Sequence, residues 1–227
     1  MPRIKHPRKF MFLWFSGFVI SGLLFAGCAG LKTQTSSTPT PVPAGAVLFE
    51  DDFTEVPSGW GIWNRKGGLV TYEQGGLRIL VNEVNFDFWS VAGKQFRDVN
   101  VEVDAARLAG AADNDFGLIC RYQDNHNFYM AMVSSDGYYG IAKMKDDQHS
   151  LIGIKQLQYS DQIKQDQISH HLQVECVGDR LSLSVDGLKL LDVHDSDFSG
   201  GDVGVMAGAY SSAGVDVLFD NFLVRQP

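Results

Sequence analysis

Residues 116–141, FGLICRYQDNHNFYMAMVSSDGYYGI, state the pattern that the folded part of the chain repeats. Three apolar, aromatic-rich runs are broken by Asp124-Asn125-His126-Asn127 and by Ser134-Ser135-Asp136-Gly137. Runs of this length between turn formers predict consecutive antiparallel strands, and Asp136-Gly137 is the strongest hairpin signal in the chain. One face of such a series packs the core, and the reading puts Arg121, Tyr129 and Tyr139 on the other.

The same pattern extends in both directions. Upstream, residues 47–53 read as a first strand and Pro57-Ser58-Gly59-Trp60 as the turn after it. Residues 68–73 and 77–81 flank the hairpin signal Gln74-Gly75-Gly76, and residues 86–92 follow. Residues 99–108 alternate almost perfectly: Val99, Val101, Val103 and Ala105 fall on one face, Asn100, Glu102, Asp104 and Ala106 on the other. Downstream, residues 145–167 carry the weakest pattern, with a short strand expected around Ile152 and a turn near Asp161. Strands are expected again at 170–177, 180–185, 188–193, 203–209 and 215–224, with Gly178-Asp179 and Asp186-Gly187 as turns. About a dozen short strands with Gly-rich turns predict one all-β sandwich or barrel.

The N-terminal part reads differently. Arg3, Lys5, Arg8 and Lys9 precede an apolar run over 10–25, which ends in Ala26-Gly27-Cys28. This resembles a bacterial lipoprotein signal, which implies removal of residues 1–27 and a lipid on the Cys28 sulfur. Phe25, where such signals more often carry Leu, departs from the pattern. The alternative is an uncleaved anchor, for which the run is short. Either reading puts the rest of the chain outside the cytoplasm. Residues 28–46, with TSSTPTPVP at their centre, cannot bury a core and read as an extended tether; residues 47–227 are the expected domain.

Charge narrows the partners. The 227-residue chain has a formal net charge of −8, and residues 1–27 contain four bases and no acid, so the remainder is more acidic still. Nucleic-acid phosphates and anionic lipid repel such a domain, so no nucleic-acid partner is expected, and the lipid must supply the membrane attachment. With Cys28 lipidated, Cys120 and Cys176 remain as an even pair in an oxidising compartment, in phase with the inward residues of their strands. They are expected to form a disulfide between neighbouring strands, because facing sheets stand about 10 Å apart.

The opening "EDDF" with Trp60, the 116–141 centre, the run LQVECVGDRLSLSVDGLKLLDVHDSDFSGGDVGVMAG and the closing VLFDNFLV resemble the concanavalin A-like, laminin G-like jelly rolls of bacterial surface proteins. Within that group they are most similar to the 3-keto-disaccharide hydrolase-like domain class. The resemblance covers most of residues 47–224. It implies two stacked antiparallel sheets and, in many relatives, a carbohydrate ligand on the concave sheet.

Several residue sets are candidates for chemistry. Trp89, Arg121, Tyr129, Tyr139 and Lys143 combine the flat aromatics and charged donors that a sugar-binding surface needs. Glu102 and Asp104 put two carboxylates on one strand face, near the spacing of about 5 Å used in retaining sugar hydrolysis, although Ala106 leaves the expected triplet incomplete. Asp51, Asp52, Asp220 and Asn221 lie on the first and last strands, where hard oxygen ligands could hold Ca²⁺; Asp195, Asp197 and Asp202 form a second acidic set. His170 and His171 must diverge on a strand and cannot chelate one ion together. The leading expectation is non-catalytic carbohydrate binding, with a glycoside-cleaving enzyme or an adhesive surface module as alternatives.

Overall fold

The computed structural model describes residues 42–56, 58–165 and 167–227. The expected signal, Cys28 and most of the tether lie outside the described residues. The rest is all-β, in sixteen strands: β1 Val47–Asp51, β2 Trp63–Arg65, β3 Gly68–Glu73, β4 Gly76–Val81, β5 Phe86–Val91, β6 Val99–Ala109, β7 Asn114–Asp124 and β8 Asn127–Val133, then β9 Tyr138–Lys145, β10 Gln148–Leu151, β11 Gln158–Tyr159, β12 Ser169–Val177, β13 Arg180–Val185, β14 Leu188–His194, β15 Asp202–Ala209 and β16 Val215–Arg225.

Two antiparallel sheets stack face to face. The nine-stranded sheet runs β14-β13-β12-β6-β16-β4-β3-β2, with β1 also on β16; the seven-stranded sheet runs β10-β9-β8-β7-β15-β5, with β11 also on β9. Alternation decides what fills the space between them. Val99, Val101 and Val103 of β6, with Leu172 and Val174 of β12, meet Phe116 and Leu118 of β7 and Val205 and Ala207 of β15 in one core. The expected jelly-roll sandwich is the observed fold.

Turn chemistry sets the hairpins. Gln74-Gly75 and Asp186-Gly187 both take positive φ at two successive residues, the conformation that type I′ turns require. Asp146-Asp147 do the same without a glycine (φ 50° and 65°). That turn starts β10, so the short strand expected around Ile152 lies at Gln148–Leu151 instead. At the N-terminal edge, pairing begins ahead of residue 47: the Gly45 N–H donates to the Gln226 carbonyl at 2.8 Å, and the Gln226 N–H to Ala46 at 2.9 Å.

Cys120 and Cys176 form a disulfide, Cα to Cα 6.8 Å. The expected link between neighbouring strands is corrected, since Cys120 is on β7 and Cys176 on β12, in opposite sheets. A bulge begins at Cys120, where the β7–β8 register shifts and Arg121 takes φ 52°. Bulges bend the strand that carries them, and here the sheets close to bridging distance.

Candidate functional site

The bulge also decides which residues of β7 face which way. Up to Cys120 the strand alternates: Phe116, Leu118 and Cys120 lie in the inter-sheet core, while Ile119 lies in a second apolar cluster on the outer face of the seven-stranded sheet. Strict alternation would send Arg121 outward. The extra residue reverses the phase, so that Arg121 is only 1% exposed and Tyr122 packs in the outer cluster. On β8, Tyr129, Ala131 and Val133 face the core and Phe128, Met130 and Met132 face outward.

Four of the five residues expected on a ligand face are therefore on the core side. Arg121 donates from Nη1 to the Phe198 carbonyl at 2.8 Å and from Nη2 to Asp98 at 3.4 Å. Tyr129 donates from its hydroxyl to Asp195 at 2.6 Å and accepts the Phe198 N–H at 3.0 Å; burial first, and the Asp195 carboxylate next, hold its phenol well above the usual range. Lys143 pairs with Asp195 and, at 2.5 Å, with Asp197. Tyr139 packs against the main core. These side chains tie the segment after β14 across the end of the sandwich, and only Trp89 faces outward.

The outer face of the seven-stranded sheet is apolar on its own account. Ladder register aligns Trp89, Met206, Gly117 and Met132 in one row, and Ile119, Met130 and Ala142 in the next. Phe128 packs between Trp89 at 5.2 Å and Tyr122 at 5.5 Å, centroid to centroid. The segment after β10 borders this floor, with Leu157, Ile154 and Leu151 above Gly140, where a Cβ would come within 2.7 Å of the Leu157 side chain. Between that segment and the end of β5 lies a cleft of about 990 Å³, whose walls include Met132, Leu157, Tyr138, Tyr210, His149 and Lys155. Its size and its mixture of apolar floor and polar rim are those of small-ligand sites.

At one end of the cleft stand two carboxyls that sequence reading missed. Asp87 of β5 and Asp115 of β7 both pair with Gly208 of the intervening β15. A Cβ at Gly208 would meet Asp115 Oδ1 at 1.9 Å and Asp87 Oδ1 at 2.2 Å, so the two oxygens are separated by no more than the sum of those distances. Only the bare glycine lets them converge from strands two places apart. Among the described residues, neither carboxyl accepts a hydrogen bond from another side chain. Burial, and secondarily the Asp87 charge, push Asp115 up to about 7; burial also raises Asp87, against the pull of His149. The sequence signal was slight: one acid between two aromatics in Phe86-Asp87-Phe88, and another at the end of the polar run Asp113-Asn114-Asp115, 28 positions on.

The direction of this shift fixes a pH dependence. An unfolded Asp ionises near pH 3.9, whereas folded Asp115 retains its proton to about pH 7. The stability that this protonated group contributes is therefore lost as pH rises between those values and is absent above the upper one. Asp115→Asn is expected to raise the melting temperature at pH 8 by about 3 °C or more and to leave it nearly unchanged at pH 4. An equal shift at both pH values would contradict a carboxyl whose ionisation the fold opposes.

The remaining candidates fall elsewhere. Glu102 and Asp104 lie on the outer face of the nine-stranded sheet, opposite the cleft. His171 donates from Nδ1 to Asp104 Oδ1 at 2.8 Å and stands 3.6 Å from Glu102, and Asn221 Nδ2 donates to Asp104 at 2.9 Å. His170 is buried against Asp186, so the two imidazoles do diverge.

A cavity of about 570 Å³ includes Asp51, Asp52 and Asn221, but the donor set does not fit Ca²⁺. Asp51 already accepts the Phe53 N–H and the Trp60 indole, Asp52 accepts from Thr54, Asp220 accepts the Asn221 N–H, and Asn221 turns to Asp104. Of the second acidic set, Asp195 and Asp197 hold Lys143, while Asp202 accepts the backbone N–H groups of Gly93, Lys94 and Val203. Among the described residues no three His, Cys, Asp or Glu side chains gather as a metal-holding group.

The fold and the cleft together define a galectin-like, concanavalin A-like β-sandwich. Solved structures of this class match over most of the chain. The carbohydrate binding module CBM66 from Bacillus subtilis is 22% identical with a TM-score of 0.59, covering 74% of this chain and 96% of its own. A structure described as a native glycosidic hydrolase is 14% identical, with a TM-score of 0.57 over 79% of this chain and 95% of that one. The GH16 protein of a Bacteroides ovatus mixed linkage glucan locus, solved with a G4G4G3G product, is 10% identical, with a TM-score of 0.53 over 78% and 100%. No protein-family model and no curated protein matches the chain.

Proposed function

We propose that this chain is a membrane-anchored, extracytoplasmic lipoprotein whose sandwich binds carbohydrate without cleaving it, on the outer face of the seven-stranded sheet. The observation that carries the reading is the cleft of about 990 Å³, with an apolar floor of Met132, Leu151, Ile154 and Leu157 and a polar rim, on the sheet face that also carries Trp89. Sugar rings present apolar C–H faces to such a floor and hydroxyls to such a rim. The fold is shared with one structure named as a carbohydrate-binding module and with others named as glycoside hydrolases, which supports the ligand class. Residues 1–27 as signal, Cys28 as the lipidated residue and residues 28–46 as tether belong to the same proposal. Mass measurement of the mature N-terminus tests them, and an intact Met1 would overturn the anchor.

The binding test is a glycan array followed by calorimetry on the oligosaccharide retained. Trp89→Ala is expected to weaken that binding about tenfold or more while leaving the fold intact. Silence across the array, or an unaffected Trp89 variant, would count against this face as the site. A glycoside-cleaving activity of the 3-keto-disaccharide hydrolase-like kind would rest on Asp87 and Asp115 rather than on Glu102 and Asp104. Product release from the retained oligosaccharide, abolished in Asp115→Asn, would favour it over simple binding.

A further inference from the structure

We propose that the Asp87–Asp115 end of the cleft is a subsite for a protonated amine, so that the glycan bound here carries an unacetylated amino sugar. The inference rests on the carbohydrate reading of the cleft and names the chemistry of its ligand. The first argument is satisfaction. Two carboxyls converge over Gly208, line the cleft, and take no hydrogen bond from another side chain among the described residues. Both are half-buried and open to the cleft, so a ligand can offer them donors, and an ammonium supplies three N–H groups where a hydroxyl supplies one.

The second argument is charge. Lys155 and His149 are the bases of the cleft wall, against Asp87, Asp113, Asp115 and Asp136. Neither Asp87 nor Asp115 forms a salt bridge with a described Lys or Arg. A neutral sugar would leave the pair to relieve its repulsion by keeping a proton, whereas an ammonium compensates both charges at once. A metal ion would need further ligands, and among the described residues no group of three His, Cys, Asp or Glu gathers there. At the rim, Tyr138 and Tyr210 are 42% and 70% exposed, open to stack on the ring that carries the amine.

The third argument is linkage. Below about pH 7 the pair of the free protein holds a proton that an incoming ammonium replaces, so binding releases a proton and strengthens as pH rises toward that value. The titratable groups that line the cleft with the pair are His149 of β10, whose charge acts on Asp87, Asp113 before β7, Asp136 in the β8–β9 turn, Tyr138 of β9, Tyr210 after β15 and Lys155 after β10. His149→Gln removes the imidazole that acts on Asp87 and so separates its contribution from that of the carboxyls.

The experiment is calorimetry on the full-length protein in detergent with glucosamine tetrasaccharide, its N-acetylated counterpart and cellotetraose. At pH 6.5, where the pair still holds most of its proton, the glucosamine oligomer is expected to bind about tenfold tighter than the other two, with proton release visible as a dependence on the buffer's ionisation heat. Its affinity is expected to fall at pH 5.5, and to do so in His149→Gln as well. Asp87→Asn and Asp115→Asn should each erase the preference. Equal affinity for all three sugars would overturn the amine subsite and leave carbohydrate binding standing. Binding of trilysine with no sugar bound would overturn both, as would the absence of binding by any of the three oligosaccharides.

Discussion

Replacing Cys120 and Cys176 together with alanine is expected to lower the unfolding free energy by about 4 kcal/mol. The two cysteines are 56 residues apart, and a covalent loop of that length removes much of the unfolded chain's freedom. The native consequence is as direct, because this bond joins the two sheets at the bulged end of β7. Beside it Arg121 is buried with one nitrogen, Nε, lacking a hydrogen-bond partner, and burial depresses its pKa. Loosening the bridge allows water to reach that charge, so part of the loss should appear as local opening near residues 120–122 before global unfolding. Denaturant melts of the oxidised protein and the double variant measure the first effect, and amide exchange the second. A difference below about 1 kcal/mol would mean that the sheets are held at this end by packing alone.

Phe222→Ala should cost a similar amount, about 3–5 kcal/mol. A second bulge at Asn221 (φ 54°) shifts the register of β16 against β6 and turns Phe222 into the core, where strict alternation from Phe219 would have placed Asn221. There Phe222 meets Trp60 edge-on at 4.8 Å and Phe49 at 6.2 Å, while Trp60 also contacts Phe53 at 5.3 Å. The Trp60 indole donates to Asp51, and the Tyr72 hydroxyl accepts the Ser58 and Trp60 N–H groups, so one aromatic group fastens the loop after β1. Truncation leaves a cavity in a site that cannot collapse without moving that loop. Phe222→Leu, which keeps most of the volume, should lose far less. Because this group lines the smaller cavity and not the cleft, neither variant should alter ligand affinity. A loss of binding without a loss of stability would refute the division of the molecule drawn above.

Both bulges also explain where sequence reading stopped. The clean alternation of β6 and the apolar phase of β12 were legible because one face of each is wet, so the two-residue period was printed in polarity. The β7 and β8 strands are apolar on both faces: Phe128, Met130 and Met132 outside, Tyr129, Ala131 and Val133 inside. With no polar face to mark it, the phase of Tyr129 could not be read, and Tyr139 and Lys143 on β9 inherited the same error. Arg121 and Asn221 take positive φ without being glycine, so nothing in their identity announced a bulge. The disulfide partners were readable from cysteine count, but not the pair of sheets they join. Asp87 and Asp115 gain their meaning from Gly208, a residue on a third strand, and only the sheet order brings the three together.

The four methionines among the described residues, Met130, Met132, Met144 and Met206, all belong to the outer cluster of the seven-stranded sheet, and the inter-sheet core contains none. In the extracytoplasmic setting proposed above, where oxidants are met, this segregates chemical vulnerability. Sulfoxide formation, beginning at half-exposed Met144, adds a polar oxygen to the floor beside the cleft, while the core offers no thioether and its two sulfurs are already bonded to each other. Ageing by peroxide would thus blunt what this surface can hold long before it unfolded the sandwich beneath.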